Sequence, residues 1–250
     1  MRTLTDGSHT RIAVERVGVR DRVHLEASGA PGRPVMRPML CPLPGSSVTR
    51  ISLVPDGALL LADDAVHLQV HVGAGSTVEI VEPGGTVAYD MRGGSALWRV
   101  DVEVEDGGTL TWAGRQFVAA AGSTTHRATR VELGGTARLA LRETLVLGRH
   151  GEPVGGCVHS DLEVRRAGRP LFLDGLALDQ RRVARLSLGD RRVVGSVLVA
   201  GVRLPDDVGT PGARFDLDGP GTLLRSLCDD AHDAVDPGWW SAALAAVTAP

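Results

Sequence analysis

From Ala65 to Val72 the chain reads Ala-Val-His-Leu-Gln-Val-His-Val, an unbroken alternation of apolar and polar side chains. Val66, Leu68, Val70 and Val72 share one side, with His67, Gln69 and His71 on the other. Period two is the pattern of a β-strand with one buried face, because successive side chains leave a pleated strand in opposite directions. Arg99–Glu105 repeats it, Val100, Val102 and Val104 standing against Arg99, Asp101, Glu103 and Glu105. Thr129–Leu133, Ala137–Leu147, Val158–Val164 and Leu171–Leu178 continue in the same style.

Glycine pairs punctuate these runs at Gly73-Ala-Gly75, Gly84-Gly85, Gly93-Gly94, Gly107-Gly108, Gly134-Gly135 and Gly155-Gly156. Three junctions are alike: Val72-Gly-Ala-Gly-Ser-Thr-Val78, Glu105-Asp-Gly-Gly-Thr-Leu110 and Glu132-Leu-Gly-Gly-Thr-Ala137. Each ends one strand and starts the next on a threonine, which is hairpin chemistry because glycine accepts positive φ at low cost. The recurrence predicts stacked hairpins or coils of β-structure, with a spacing too irregular for a true repeat. The 32 glycines and 14 prolines belong to these turns, since 43% of the 250 residues are hydrophobic and a disordered chain would lack them.

Helical spacing is confined to the end of the chain. Leu223, Leu224, Leu227, Cys228, Ala231 and Val235 predict a helix over Thr222–Val235, capped by Thr222 and stopped at Pro237-Gly238. A second short helix is expected from Trp239-Trp240 to Val247. The Pro- and Gly-rich stretch Ala27–Gly45 reads as an early connection, not as a linker between domains. The expectation is one domain over residues 1–250, with β-structure in 1–220 and a helical part in 221–250.

Charge and composition exclude some roles. All 27 basic residues are arginine, yet the net charge is −3 and aromatic residues make up 3%. A nucleic-acid binder would show a basic patch and stacking platforms. Met1–Gly7 carries no apolar run of signal-peptide type, and no stretch has the roughly 18 apolar residues that span a bilayer. Cys41, Cys157 and Cys228 are odd in number and widely separated, so they read as reduced thiols of a cytoplasmic protein.

No nucleophile elbow, P-loop or H-E-x-x-H is present. The densest donor set lies in Leu147-Gly-Arg-His-Gly-Glu-Pro-Val-Gly-Gly-Cys-Val-His159, which brings His150, Glu152, Cys157 and His159 within ten residues. Imidazole, thiolate and carboxylate all bind borderline divalent metals. The opposing reading is a hairpin in which Arg149 pairs with Glu152 and Cys157 packs as a small hydrophobe. His67 and His71, about 13 Å apart along one strand face, read as part of a solvated polar face. Asp63-Asp64, Glu79 with Glu82, Glu143 with Glu152, and Asp229-Asp230 with Asp233 are possible acid–base pairs, more simply solvated charges or partners of arginines. The last three would form the exposed side of the first C-terminal helix. Trp239 and Trp240 are either a core plug or an anchor for a partner.

Several segments together resemble the UreD (UreH) family of urease accessory proteins. Pro55-Asp-Gly-Ala-Leu-Leu-Leu-Ala-Asp-Asp64 is similar to that family's P-G-G-x-L-x-G-D entry. Thr86-Val-Ala-Tyr89 stands in the place of T-K-x-Y, and Leu145-Val-Leu-Gly-Arg-His-Gly-Glu152 is similar to L-G-R-x-x-x-G-E. Ser160–Asp174 carries the G-x-P-L-x-x-D strand pair. The likeness runs over residues 10–245. It departs at Arg115-Gln116-Phe117, where the family has an acidic residue and a proline, and at Val81-Glu82-Pro83, which replaces a polar stretch.

The resemblance implies an all-β fold, helically wound in β-helix-like stacked strands, with a small C-terminal helical part. It implies a non-enzymatic scaffold that binds apo-urease with UreF and the GTPase UreG. Such a scaffold would hold no tightly bound cofactor and would pass nickel transiently toward the urease active site. Asp63, Asp64, Glu79, Tyr89, Glu143, His150 and Glu152 would line the nickel path, with Arg149 fixing Glu152 in place. Scattered donors suit passage, because a complete ligand set would hold the metal instead of releasing it. Two other readings compete. One is a metal-dependent hydrolase using His150, Glu152, Cys157 and His159. The other is a plain structural or carbohydrate-binding β-domain, a stable monomer without partners, which the scarcity of aromatic residues disfavours.

Overall fold

The computed structural model describes residues 7–31, 33–152, 154–178, 188–209 and 212–249. Met1–Asp6, most of the stretch on which the signal-peptide expectation rests, lie outside the described residues. One sheet holds β1 (Ser8–Val17), β2 (Arg20–Ser28), β5 (Ala65–Val72), β8 (Ala96–Val104), β10 (Thr124–Leu133), β12 (Cys157–Arg166) and β13 (Arg169–Leu178). The other holds β3 (Met36–Leu40), β4 (Thr49–Pro55), β6 (Thr77–Val81), β7 (Thr86–Ala88), β9 (Thr109–Ala119), β11 (Arg138–Leu147), β14 (Val193–Ala200), β15 (Ala213–Asp216) and β16 (Gly221–Cys228). Their orders are β13-β12-β10-β8-β5-β1-β2 and β15-β16-β14-β11-β9-β6-β4-β3, with β7 paired to β9.

Between β4 and β12 the chain crosses from sheet to sheet, so each coil contributes to both. In the first sheet β1, β5, β8, β10 and β12 run parallel, and in the second β4, β6, β9 and β11 do. This is a β-solenoid, as the expectation of helically wound strands requires. Antiparallel neighbours close it, with β2 and β13 at the ends of the first sheet and β3, β14, β16 and β15 at the ends of the second. The inward rows of both sheets meet in one core, to which β5 gives Val66, Leu68, Val70 and Val72 and β8 gives Val100, Val102 and Val104.

The glycine junctions are not hairpins. Gly73–Gly75, Gly107-Gly108 and Gly134-Gly135 turn the chain from the first sheet to the second, and the three corners stack. Glu105 N–H donates to the Val72 carbonyl and Gly134 N–H to the Val104 carbonyl, each at 2.8 Å. Gly75 and Gly107 hold φ of +67° and +70°, and a Cβ on Gly134 would stand 2.7 Å from the Asp106 backbone nitrogen. The corner therefore selects glycine for close stacking as well as for dihedral freedom. The Ala27–Gly45 connection likewise contains β3, whose Pro38 is accommodated because β3 is an edge strand.

The helix expected over Thr222–Val235 is absent, and Gly221–Cys228 is strand β16. Its neighbouring leucines face opposite ways: Leu223 enters the inter-sheet core, while Leu224 enters a second core on the outer side of the second sheet. Burial on both faces removes the alternation that marks a strand and leaves an apolar run that mimics a helix. Thr222 is no cap; its buried hydroxyl accepts from Leu204 N–H (3.1 Å) and donates to Asp216 (2.9 Å). Asp229, Asp230 and Asp233 consequently follow β16 in turns, not on a helix face.

The second expected helix is present as α1 (Pro237–Thr248), opened by Asp236, whose carboxylate accepts from Gly238 N–H at 2.6 Å. It covers the second core with Trp239, Ala243 and Val247. Trp239 is 1% exposed and donates from Nε1 to the Gly209 carbonyl at 3.1 Å. It is therefore the core plug and not a partner anchor. Trp240 is half-buried, with the Arg142 guanidinium 5.3 Å from its ring centroid. Trp239→Ala is expected to cost about 3–5 kcal/mol, read as a lowered denaturant midpoint in equilibrium unfolding.

Candidate functional site: a guanidinium-lined cavity between the sheets

The second sheet is interrupted at one level. β6 pairs with β9 as far as Val81–Ala113, β7 resumes at Thr86–Phe117, and Glu82–Gly85 bulges out between them. On the other side of β9 the register with β11 shifts between Arg142 and Thr144. Both neighbours of β9 thus depart from it around Gly114–Gln116. A cavity of about 50 Å³ lies behind this break, walled by Trp98, Phe117, Leu139 and Leu141 and by the polar groups of Glu82, Arg127 and Glu143. That is room for a few waters or one small ion with part of its hydration.

Arg127 enters the cavity because β10 alternates and Thr125, Arg127 and Thr129 occupy its inward row. It is 8% exposed, donates to Glu143 at 2.7 Å and to Ser160 Oγ at 3.3 Å, and lies 4.7 Å from the centroid of Phe117. Its Nε and the nearby Thr125 Oγ1 are buried without a protein partner among the described residues. Glu82 closes the break, accepting from Trp112 Nε1 (2.8 Å) and from Arg115 N–H (3.1 Å). Burial pushes the Glu82 carboxyl above its usual range, against those hydrogen bonds and the Arg127 charge, which pull it down. Arg142, on the outer side of the break, donates to the Gly114 carbonyl at 3.2 Å, and burial lowers its guanidinium below the usual arginine value.

Of the residues nominated from sequence, Glu82 and Glu143 reach this cavity, each without the carboxylate expected to pair with it. Asp63, Asp64, Tyr89, His150 and Glu152 instead sit on the stacked corners that lead from the second sheet back to the first. Asp64 is buried there as a structural carboxylate, bound to Arg33 at 2.7 Å and to Leu61 N–H at 2.7 Å. Asp63 is exposed with φ +65°, and Tyr89 is half-buried with its N–H on the Leu60 carbonyl. Glu79 lies on the outer side of the second sheet, paired with Arg50 at 2.7 Å, so it does not join Glu82.

The expected Arg149–Glu152 pair is present. Glu152 accepts from Arg149 Nε (2.8 Å) and from Arg149 N–H (2.9 Å), which holds its carboxyl at about 2 against the ordinary 4.5. Arg192, which no sequence signal marked, fastens the same turn by donating to the carbonyls of Gly148 (2.6 Å) and Arg149 (2.8 Å). His150 is exposed in this turn, while Cys157 and His159 lie on the outer face of the first sheet. Among the described residues, the one group of three metal donors within mutual reach is the exposed Asp230, His232 and Asp233. The hydrolase constellation His150/Glu152/Cys157/His159 is not gathered into such a group. His67 and His71 are not freely solvated either: His67 is 9% exposed and 2.6 Å from Asp101, and His71 faces Glu103 (3.4 Å) and Glu105 (3.5 Å).

The structure defines a β-solenoid with a small helical cover and a charged cavity reached through a break in one sheet. The family model of the UreD urease accessory protein matches residues 7–246. Urease accessory protein UreD 1 of Streptomyces griseus subsp. griseus is 41% identical, with 89% of this chain and 85% of that protein covered. UreD of Frankia alni is 38% identical (76% and 71% covered), and UreD 1 of Saccharopolyspora erythraea is 35% identical (74% and 74%). The chain belongs to the UreD family of urease accessory proteins.

Two outcomes test the electrostatics. Arg127→Met leaves the Glu143 carboxylate partly buried without its cation and is expected to destabilise the fold by about 3 kcal/mol, whereas Arg127→Met/Glu143→Leu recovers most of the loss in a double-mutant cycle. Because the folded value of Glu152 is depressed, its contribution to stability is full above about pH 4.5 and fades as pH falls toward 2. Arg149→Gln should move the Glu152 carboxyl titration, followed by NMR, from about 2 back toward 4.5.

Proposed function

We propose that this chain acts in urease maturation as a cytoplasmic, non-enzymatic scaffold that binds apo-urease together with UreF and UreG and helps hand nickel toward the urease active site. Membership of the UreD family supports the maturation role. The observation that carries the finer reading is the cavity behind the break at Glu82–Gly85, where two carboxylates, Glu82 and Glu143, stand among groups that leave a metal shell incomplete. Glu143 is already engaged by Arg127 through Oε1, so an arriving dication competes with a guanidinium for the same carboxylate. That competition keeps residence short, which is what a passage requires and a storage site does not. Asp63, Asp64, Tyr89, His150 and Glu152 would then serve at the rim of this route and Glu79 at its outer side, with Trp240 of α1 as the aromatic contact for a partner. Among the described residues no helix is long and apolar enough to cross a membrane.

Co-expression of the tagged chain with UreF and apo-urease, followed by size-exclusion chromatography, should yield a complex that keeps the chain in solution. A well-behaved monomer that ignores both proteins would overturn the scaffold reading. Within the complex, Glu143→Gln should leave assembly intact and lower the nickel content of urease several-fold, measured by metal analysis after activation.

A further inference from the structure

We propose that Cys157, His159 and His126 form a binding site for a borderline divalent transition-metal ion on the outer face of the first sheet. It lies apart from the inter-sheet cavity and does not rest on the maturation reading. Cys157 and His159 are two residues apart on β12, so both side chains leave the same face. Their Sγ and Nε2 atoms are 3.4 Å apart. Bonds of about 2.3 Å to sulfur and 2.0–2.1 Å to imidazole nitrogen, meeting at the tetrahedral angle, place those two donors about 3.6 Å apart. Two of four positions around one ion are therefore nearly set before any ion arrives.

The third donor comes from the neighbouring strand. β10 runs parallel to β12 with His126 opposite His159, and the two rings stack with centroids 5.0 Å apart and planes inclined by 10°. That spacing is close to the distance between strands in a sheet, so the parallel register itself supplies the second imidazole. With the rings stacked in this way, the three donor atoms do not converge on a single point. His126 is exposed, and a rotamer change about its side-chain torsions swings a ring nitrogen toward the gap between Sγ and Nε2.

The donor set fits a particular class of ion. One thiol and two imidazoles are soft to borderline, which favours Zn2+, Ni2+ or Co2+ over Mg2+ or Ca2+, and a water completes a tetrahedral shell. Cys157 is in no disulfide, so its sulfur retains a proton to lose. The Sγ–H proton passes to solvent as the sulfur–metal bond forms, leaving the oxidation states of sulfur and metal unchanged.

The test uses the untagged full-length chain and Co2+ as the spectroscopic probe, with Ni2+ and Zn2+ as competitors. Wild type should bind one equivalent with a thiolate-to-cobalt charge-transfer band that Zn2+ displaces. Cys157→Ser should abolish the band, and His159→Gln and His126→Gln should each weaken binding by about tenfold or more. Cys228→Ser should keep the band, which separates this site from the exposed Asp230, His232 and Asp233 group near Cys228. Circular dichroism should show all four variants folded, since His126, Cys157 and His159 lie on the outer face of the first sheet and serine is close in size to the partly buried Cys228. The proposal fails if wild type gives no charge-transfer band, if the band survives Cys157→Ser or disappears in Cys228→Ser, or if His126→Gln binds as tightly as wild type.

Discussion

Between β4 and β12 successive coils are hydrogen-bonded main chain to main chain on both sheets, with one interruption in the second. A residue's neighbours are therefore set by its row, not by its surroundings in sequence. Arg127 lies between Trp98 on β8 and Ser160 on β12, and His126 lies between Leu97 and His159, for that reason alone. The corners have to stack as closely as the strands do, which is why glycine recurs there and why Gly134 leaves no room for a Cβ. Antiparallel strands at both ends then satisfy the ladders that open parallel edges would leave exposed.

The cavity exists where this ladder is interrupted. Glu82–Gly85 leaves the second sheet at the same level at which β11 slips against β9. A solenoid built only for stability would fill that gap with aliphatic side chains, because a buried ion pair seldom outperforms a well-packed apolar replacement. Here the gap holds a carboxyl raised by burial, a paired Arg127 and Glu143, and an arginine Nε with no protein partner among the described residues. Such groups are costly to bury, so their concentration at one break points to a function there.

The strands and their inward rows are legible from alternation alone, as β5 and β8 show, because their residues face a core on one side and water on the other. β16 is not, since Leu223 and Leu224 enter two different cores and the alternation disappears. The corners are recognisable as turns but resemble hairpins, because glycine with positive φ serves both and no local signal states which sheet the next strand joins. The site is mostly hidden for the same reason. Glu82, Arg127 and Arg142 come together from three coils, and a single sequence does not reveal which coil lies against which. Glu143 is named from sequence only as a partner of Glu152 and as a path residue through a family resemblance, whereas Arg149 with Glu152 is legible because that pair is local, three residues apart in one turn.

The outer face of the first sheet shows how much register alone decides. His9, His24, His67, His71, His126 and His159 all project from it, since each falls on an outward position of its strand. Their fates differ with what the next strand places beside them. β8 sets Asp101 beside His67 and Glu103 near His71, and the corner after it adds Glu105, so those imidazoles are held by carboxylates. At His159 the neighbours are a thiol on its own strand and a second imidazole on the next. The same ladder thus builds imidazole–carboxylate contacts at one place and a set of soft to borderline metal donors at another. The difference between a structural histidine and a ligand lies in the residue two positions along or one strand over.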